Sequence, residues 1–172
     1  MSLVFLIGMP GAGKSHWGRL LSRHLHVPYI DLDRYIVYSE RSSITSLFSD
    51  YGEEWFRIKE REHLSRLVAE AKPGTIIACG GGTPCYHNNM ELMNNAGTTI
   101  YLEAQTEHLL CNMRNTIDMR PLLQDKDDVP ALLANMLVKR RAYYEMAHYI
   151  LQTENISLAT FEQIITACIN RQ

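Results

Sequence analysis

Short apolar runs separated by longer stretches of helical period dominate the pattern along this chain. Residues 3–7, 75–78 and 98–102 are continuous or nearly so in apolar character, as expected of strands covered on both faces. Shorter runs at 29–30 and 149–151 read as two further strands. Between them, Trp17, Leu20, Leu21 and Leu25 recur at helical spacing and stop at His26-Val27-Pro28, because proline disfavours helical geometry in the residue before it. Residues 34–47 are amphipathic but interrupted at Ser42-Ser43, which predicts two short helices. Tyr51-Gly52 reads as a turn, after which Phe56, Leu64, Leu67, Val68 and Ala71 mark one face of a longer helix closed by Lys72-Pro73-Gly74. Further helices are predicted over 86–94, over 106–113 and from Pro130, whose missing N–H costs little in a first turn. A last helix opens on a capping box, Thr160 to Gln163, and buries Phe161, Ile164, Ile165, Cys168 and Ile169.

Strands alternating with helices imply a parallel sheet with helices on both sides, in which ligands bind beyond the carboxyl ends of the strands. Three segments follow strands directly and should converge there. The first, Gly8-Met9-Pro10-Gly11-Ala12-Gly13-Lys14-Ser15, has the G-x-x-x-x-G-K-[ST] form between a strand and a helix. Its glycines let backbone N–H groups point together at polyphosphate oxygens. Lys14 brings a mobile positive charge to the β- and γ-phosphates, Ser15 a hydroxyl for Mg²⁺, and the helix start adds its partial charge. A nucleoside triphosphate is therefore the expected ligand.

The second segment carries Asp31 and Asp33, two residues apart at a strand end. One can face Mg²⁺ through water and the other a substrate hydroxyl that needs an acceptor for its proton. The competing reading is that Asp33 caps the following helix. The third is Gly80-Gly81-Gly82, which lets a ligand approach the backbone or simply bends the chain.

Four arginines complete the candidates. Arg57 has Glu53 four residues back and Glu60 three residues on, spacings that favour ordinary surface ion pairs. Arg140 falls in register with Leu133, Leu137 and Tyr144 on an inward helix face, whereas Lys139 and Arg141 do not. A charge on that face needs an anionic partner, and a guanidinium fork suits carboxylate or phosphate. Arg114 and Arg120 lie in a polar, aperiodic segment that reads as a mobile lid over nucleotide or as a surface loop.

Composition narrows the partners. The 172 residues suit a single domain, with 46% hydrophobic and 21% charged residues. A net charge of −2 and a pI near 6.4 give no basic excess for nucleic acid. Cys79, Cys85, Cys111 and Cys168 are scattered without metal-site spacing, the pattern of reduced thiols in a cytoplasmic protein. The apolar start at residues 3–7 has no basic leader, and no stretch reaches the roughly 18 apolar residues of a membrane span.

Taken together, the segments G-M-P-G-A-G-K-S at 8–15, D-L-D at 31–33, G-E-E-W-F-R-I-K-E at 52–60, G-G-G at 80–82, R-P-L-L at 120–123 and K-R-R-A-Y-Y-E at 139–145 resemble the shikimate kinases. These are small P-loop kinases of the nucleoside-monophosphate-kinase type. The resemblance covers essentially the whole chain. It implies a three-layer α/β/α fold with a five-stranded parallel sheet of order 2-3-1-4-5, a substrate-binding region at about 32–62 and a mobile lid at about 113–127. It further implies transfer of the γ-phosphoryl group of ATP to the 3-hydroxyl of shikimate, with Mg²⁺ as cofactor. From composition the protein is expected to be cytoplasmic, and a monomer is expected because nothing in the sequence demands a partner protein.

Carried over by position, Gly11, Ala12, Gly13, Lys14, Ser15, His16, Arg114 and Arg120 would bind ATP, and Ser15 and Asp31 would serve the metal. Lys14, Asp33 and Arg120 would be catalytic. Asp33, Arg57, Glu60, Gly80, Gly81, Gly82 and Arg140 would hold shikimate. Two departures stand out. Ala142 replaces the proline that the family usually carries after its arginine, which leaves Lys139 and Arg141 as alternatives to Arg140. No arginine lies between Thr153 and Ser157 to face adenine, so backbone and apolar contacts would hold the base. A P-loop kinase for gluconate or a nucleoside monophosphate, or a non-catalytic nucleotide-binding module, remains the competing class.

Overall fold

The computed structural model describes residues 2–113 and 128–169, with side chains to residue 166 in the last helix. Five strands, β1 (Leu3–Ile7), β2 (Tyr29–Asp31), β3 (Ile76–Ala78), β4 (Gly97–Glu103) and β5 (Tyr149–Gln152), form one sheet of order β2-β3-β1-β4-β5. All pairings are parallel. The helices are α1 (Lys14–Leu25), α2 (Leu32–Glu40), α3 (Ile44–Glu70), α4 (Asn89–Ala96), α5 (Thr106–Met113), α6 (Val129–Tyr144) and α7 (Leu158–Ile169). They cover both faces of the sheet, so the expected three-layer architecture and strand order are met.

The central strand explains why. Every residue of β1 is buried, with Phe5, Leu6 and Ile7 fully so. Such a strand is stable only between two paired neighbours and two covered faces. It pairs β3 from Val4 to Leu6 and β4 along its whole length. The carboxyl ends of β1, β2 and β3 therefore finish side by side, and each discharges into one of the three segments singled out above.

Helix boundaries follow local caps. Helix α1 ends at His26, whose left-handed φ of 55° lets its N–H reach the Ser22 carbonyl. The break at Ser42-Ser43 is real: Ser43 caps α3, its hydroxyl accepting from Ser46 N–H at 3.0 Å. The predicted turn at Gly52 is a kink inside α3, at φ 82° and ψ 169°, where glycine meets no steric penalty.

Two helix starts differ from expectation. Residues 83–85 form a 3₁₀ turn and α4 begins only at Asn89, because Asn88 is left-handed and interrupts the run. The last helix begins at Leu158, capped by Ser157, whose hydroxyl accepts from Thr160 N–H at 3.3 Å. The capping box at Thr160 is thus displaced by one turn. Phe161, Ile164 and Ile165 are buried as predicted. Cys168, Ile169 and the segment expected to form a lid, with Arg114 and Arg120, lie outside the described side chains.

Candidate active site

Beyond the carboxyl ends of the strands lies a cavity of about 590 Å³, lined by residues 10–17, Asp31, Asp33, Cys79, Gly80, Gly81, His108, Asn112 and Thr153. The three strand-end segments do meet in one crevice. Gly11, Ala12, Gly13, Lys14, Ser15 and the exposed His16 form its phosphate-loop wall. Gly11 has a φ of 84°, and a Cβ there would stand 2.8 Å from the Leu109 carbonyl oxygen. Only glycine can adopt that conformation in that space. Its own carbonyl accepts from Asn112 Nδ2 at 2.8 Å, which ties the loop to α5.

Lys14 is buried, and its ammonium donates to the Gly8 and Met9 carbonyls at 2.8 Å each. Beside it, Ser15 Oγ donates to Asp31 Oδ2 at 2.8 Å. Tyr29 also donates to Asp31 Oδ2, at 3.2 Å. Burial, reinforced by the Asp31 charge, pushes the Tyr29 phenol up to about 12. Asp31 Oδ1 accepts from Arg34 N–H at 3.3 Å, so Asp31 caps α2. The capping role considered for Asp33 belongs instead to Asp31. Asp33 stands in the first turn of α2, on the cavity wall.

Each residue of the triple glycine leaves room for a different site group. A Cβ on Gly80 would lie 2.8 Å from Asp33 Oδ1 and 3.1 Å from Glu60 Oε1. On Gly81 it would lie 2.7 Å from Pro10 Cδ, and on Gly82 2.6 Å from Arg57 Nη2. The segment is a close-packing device that draws α2, the phosphate loop and α3 onto the end of β3.

Arg57 and Glu60 are 5% and 1% exposed, so the surface-pair reading of Arg57 is wrong. The spacing that suggested it is nonetheless used. Arg57 Nη1 donates to Glu60 Oε2 at 2.9 Å, while Nη2 and Nε donate to Glu53 Oε1 at 2.9 and 3.2 Å. Burial opposes the Arg57 charge, but Glu60 and Glu53 outweigh it and raise the guanidinium above its ordinary value. Thr83 Oγ1 donates to the other Glu60 oxygen, and Tyr86 donates from its hydroxyl to Glu53. The Tyr86 ring also lies 4.5 Å from the Arg57 guanidinium carbon, within cation–π range.

Among the three basic residues at the end of α6, burial separates Arg140 from its neighbours. Arg140 is 8% exposed, whereas Lys139 and Arg141 face solvent. Arg141 pairs with Glu145 at 2.6 Å. Arg140 Nη1 is buried and has no hydrogen-bond partner among the described residues. Its charge and that of Arg57 both act on Cys85 and Tyr86, so the two guanidinium groups lie within electrostatic reach of the same short segment. Tyr144, one turn along α6, donates to the Gly81 carbonyl at 2.5 Å.

Thr83, Tyr86, Tyr144 and Asn112 are site neighbours that sequence reasoning missed. Tyr144 was legible as an inward position and no more. Tyr86 lies in an irregular connection without periodicity, so nothing local marks it.

The shikimate kinase family model matches residues 10–171. A shikimate kinase from Azobacteroides pseudotrichonymphae is 40% identical over 152 residues, covering 87% of this chain and 89% of its own. Among solved structures, a shikimate kinase from Bacteroides thetaiotaomicron superposes with a TM-score of 0.88 at 32% identity, over 96% of this chain and 98% of the other. A shikimate kinase from Acinetobacter baumannii, solved in complex with shikimate, gives 0.87 at 28% identity over 99% and 94%. The match runs through nearly the whole sequence and the architecture is that of solved members. The chain belongs to the shikimate kinase family.

Proposed function

We propose that the protein transfers the γ-phosphoryl group of ATP to the 3-hydroxyl of shikimate, giving shikimate 3-phosphate and ADP. The observation that carries this reading is the buried Arg140 with Nη1 lacking a partner among the described residues. A buried guanidinium nitrogen without an acceptor is costly, and a small carboxylate supplies one. Arg57 completes the carboxylate site, held by Glu60. Asp33, on the wall shared with the phosphate loop, accepts the hydrogen bond and then the proton of the attacking hydroxyl.

On the donor side, Lys14 exchanges the Gly8 and Met9 carbonyls for phosphate oxygens, which keeps its charge paired throughout. As the hydroxyl oxygen bonds to the γ-phosphorus, the bond to the β-bridging oxygen breaks and ADP leaves. The transition state spreads negative charge over the phosphoryl oxygens, so fixed cations and N–H groups do most of the catalytic work. Arg114 and Arg120, outside the described residues, would bring further positive charge to the nucleotide.

Ser15 Oγ and Asp31 Oδ2, 2.8 Å apart at the loop, are hard oxygen ligands that fit Mg²⁺. Among the described residues no group of three or more His, Cys, Asp or Glu could hold a metal alone, which suits an ion shared with phosphate and water. When bound, Mg²⁺ neutralises phosphate charge. No helix among the described residues is long and apolar enough to cross a membrane. We assign the chain as one domain, with a substrate-binding region at about 32–62 and a lid at about 113–127, acting as a cytoplasmic monomer on small molecules without nucleic acid.

ADP release with Mg²⁺-ATP, measured separately with shikimate, gluconate and AMP, tests the assignment. Turnover is expected with shikimate. Turnover only with gluconate or AMP, or with none of the three, overturns it.

A further inference from the structure

Tyr144 is fully buried, stacked on Tyr101 with ring centroids 4.9 Å apart. Its hydroxyl is not an idle part of the core. It donates to the Gly81 carbonyl at 2.5 Å and touches Met9 Sδ at 3.6 Å, so one oxygen joins α6, the triple glycine and the phosphate loop. The Arg140 guanidinium, one turn back on α6, acts on the phenol through its charge and as a direct hydrogen-bond neighbour, so the hydroxyl also bears on Arg140 itself. Burial nevertheless dominates and raises the phenol well above its ordinary value, so the group stays a donor at any physiological pH.

The geometry has a specific consequence for the acceptor side. A trans peptide is planar, so holding the Gly81 oxygen also fixes the Gly82 N–H on the opposite edge of the same plane, aimed away from α6. Gly82 is the residue on which the Arg57 guanidinium rests. The turn around this peptide is closed by Thr83 N–H on the Gly80 carbonyl at 3.2 Å and Cys85 N–H on the Gly82 carbonyl at 2.9 Å, and the Tyr144 hydrogen bond ties that turn to α6 and so helps set the seat of Arg57. The same side chain belongs to the helix turn that carries Arg140.

We propose that Tyr144 is a positioning residue for acceptor binding, its hydroxyl locking the Gly81–Gly82 peptide and α6 so that Arg57 and Arg140 face one carboxylate. This rests on the carboxylate-binding role given above to the two arginines. Tyr144 itself touches no reacting atom.

Replacing the tyrosine by phenylalanine (Tyr144→Phe) keeps the ring stack and removes only the hydroxyl. The expected result is a rise of about tenfold in the shikimate KM, consistent with one lost hydrogen bond acting through the arginines, and an ATP KM within about twofold of the parent. In an Arg140→Lys background the same change has a smaller effect, because residues acting as one unit are not additive. A lowered melting temperature with both KM values unchanged, or full additivity with Arg140→Lys, overturns the proposal by making Tyr144 a packing residue only. Absence of shikimate turnover in the parent protein would instead overturn the activity assignment.

Should the phenylalanine variant not fold, a 3,5-difluorotyrosine at position 144 keeps size and hydrogen bond while easing ionisation of the phenol. The charged and titratable groups around it are Arg140 on α6, Cys85 in the 3₁₀ turn and Tyr101 on β4. A phenolate cannot donate to the Gly81 carbonyl. The fluorinated protein should then lose shikimate affinity in step with the rise of its phenolate absorbance, and phenolate formation with unchanged shikimate affinity refutes the role.

Discussion

Gly82→Ala isolates the seat of Arg57 from every other feature of the site. The glycine has φ −89° and ψ −21°, a conformation open to any residue, so alanine introduces no backbone strain. By stiffening the unfolded chain it would even stabilise by about 0.4–1 kcal/mol if space allowed. Space does not allow it. The added Cβ would stand 2.6 Å from Arg57 Nη2 and 2.7 Å from Cζ and Nη1, so the guanidinium must retreat by about 1 Å to reach ordinary contact.

An unpinned arginine tip would do so freely, but this one is held by Glu60 at 2.9 Å, by Glu53 at 2.9 and 3.2 Å and by the Tyr86 ring. Breaking one hydrogen bond between charged groups costs about 1.5–3 kcal/mol. If that loss falls on the acceptor site it is a factor of about 10–100 in affinity. Gly82 does not line the cavity that holds the phosphate loop. In an ADP-release assay at saturating ATP, the shikimate KM should rise by that factor while the ATP KM holds. Melting should drop by a few degrees, at about 2–4 °C per kcal/mol for a chain of this size. A shikimate KM within twofold of the parent, with an unchanged melting temperature, would show that Arg57 is neither pinned nor needed where we place it.

Ser43→Ala removes the cap of α3 and should cost about 1 kcal/mol, read as a lower melting temperature with unaltered KM values for both substrates. Tyr29 and Tyr101 are each raised from 10.0 to about 12, burial being the main cause. Their neutral forms are favoured in the fold, while the unfolded chain ionises near 10. Stability from this source is intact below pH 10 and declines as pH rises toward 12, so the urea midpoint should fall across that window together with the rise of phenolate absorbance. Burial also raises Cys85 to about 11, although Arg140 and Arg57 pull it down. With about 100-fold less thiolate at pH 8 than an ordinary thiol, Cys85 should alkylate far more slowly than the exposed Cys111, as peptide mass spectrometry would show.

How much of this was legible in advance depended on whether the signal was local. Strand β1 is a continuous apolar run, and such a run has one stable use in an α/β chain; β4 is buried from Thr98 to Leu102 beside it. The phosphate loop and Asp31–Asp33 follow strands directly, so the strand-end rule was enough to bring them together. The triple glycine was visible, but its reason was not: the groups it accommodates, Asp33, Pro10 and Arg57, come from three separate segments. Arg57 shows the same limit. Its spacing to Glu53 and Glu60 predicted the ion pairs correctly, yet Phe48 reaches it from across the Gly52 kink of α3 and Tyr86 from a separate segment. At α7, Ser157 and Thr160 are both competent caps three residues apart, and helix formation from Leu158 selects the first.

The polar groups of the site differ in what they already hold, and the difference sets how much each gains from a substrate. Lys14 is paired with two loop carbonyls, Ser15 with Asp31, and Arg57 with two carboxylates. For those groups a substrate replaces an existing contact, so the net gain is the difference between two similar interactions. Arg140 Nη1 differs, since its buried nitrogen has no acceptor among the described residues to give up. On the carboxylate role proposed for the two arginines, the acceptor gains more at Arg140 than at Arg57. Truncating Arg140 should cost more acceptor affinity than truncating Arg57, even though Arg57 makes more hydrogen bonds within the protein. Bond counts in a site without substrate rank residues by their contribution to the fold, and the unsatisfied donor is the better guide to binding.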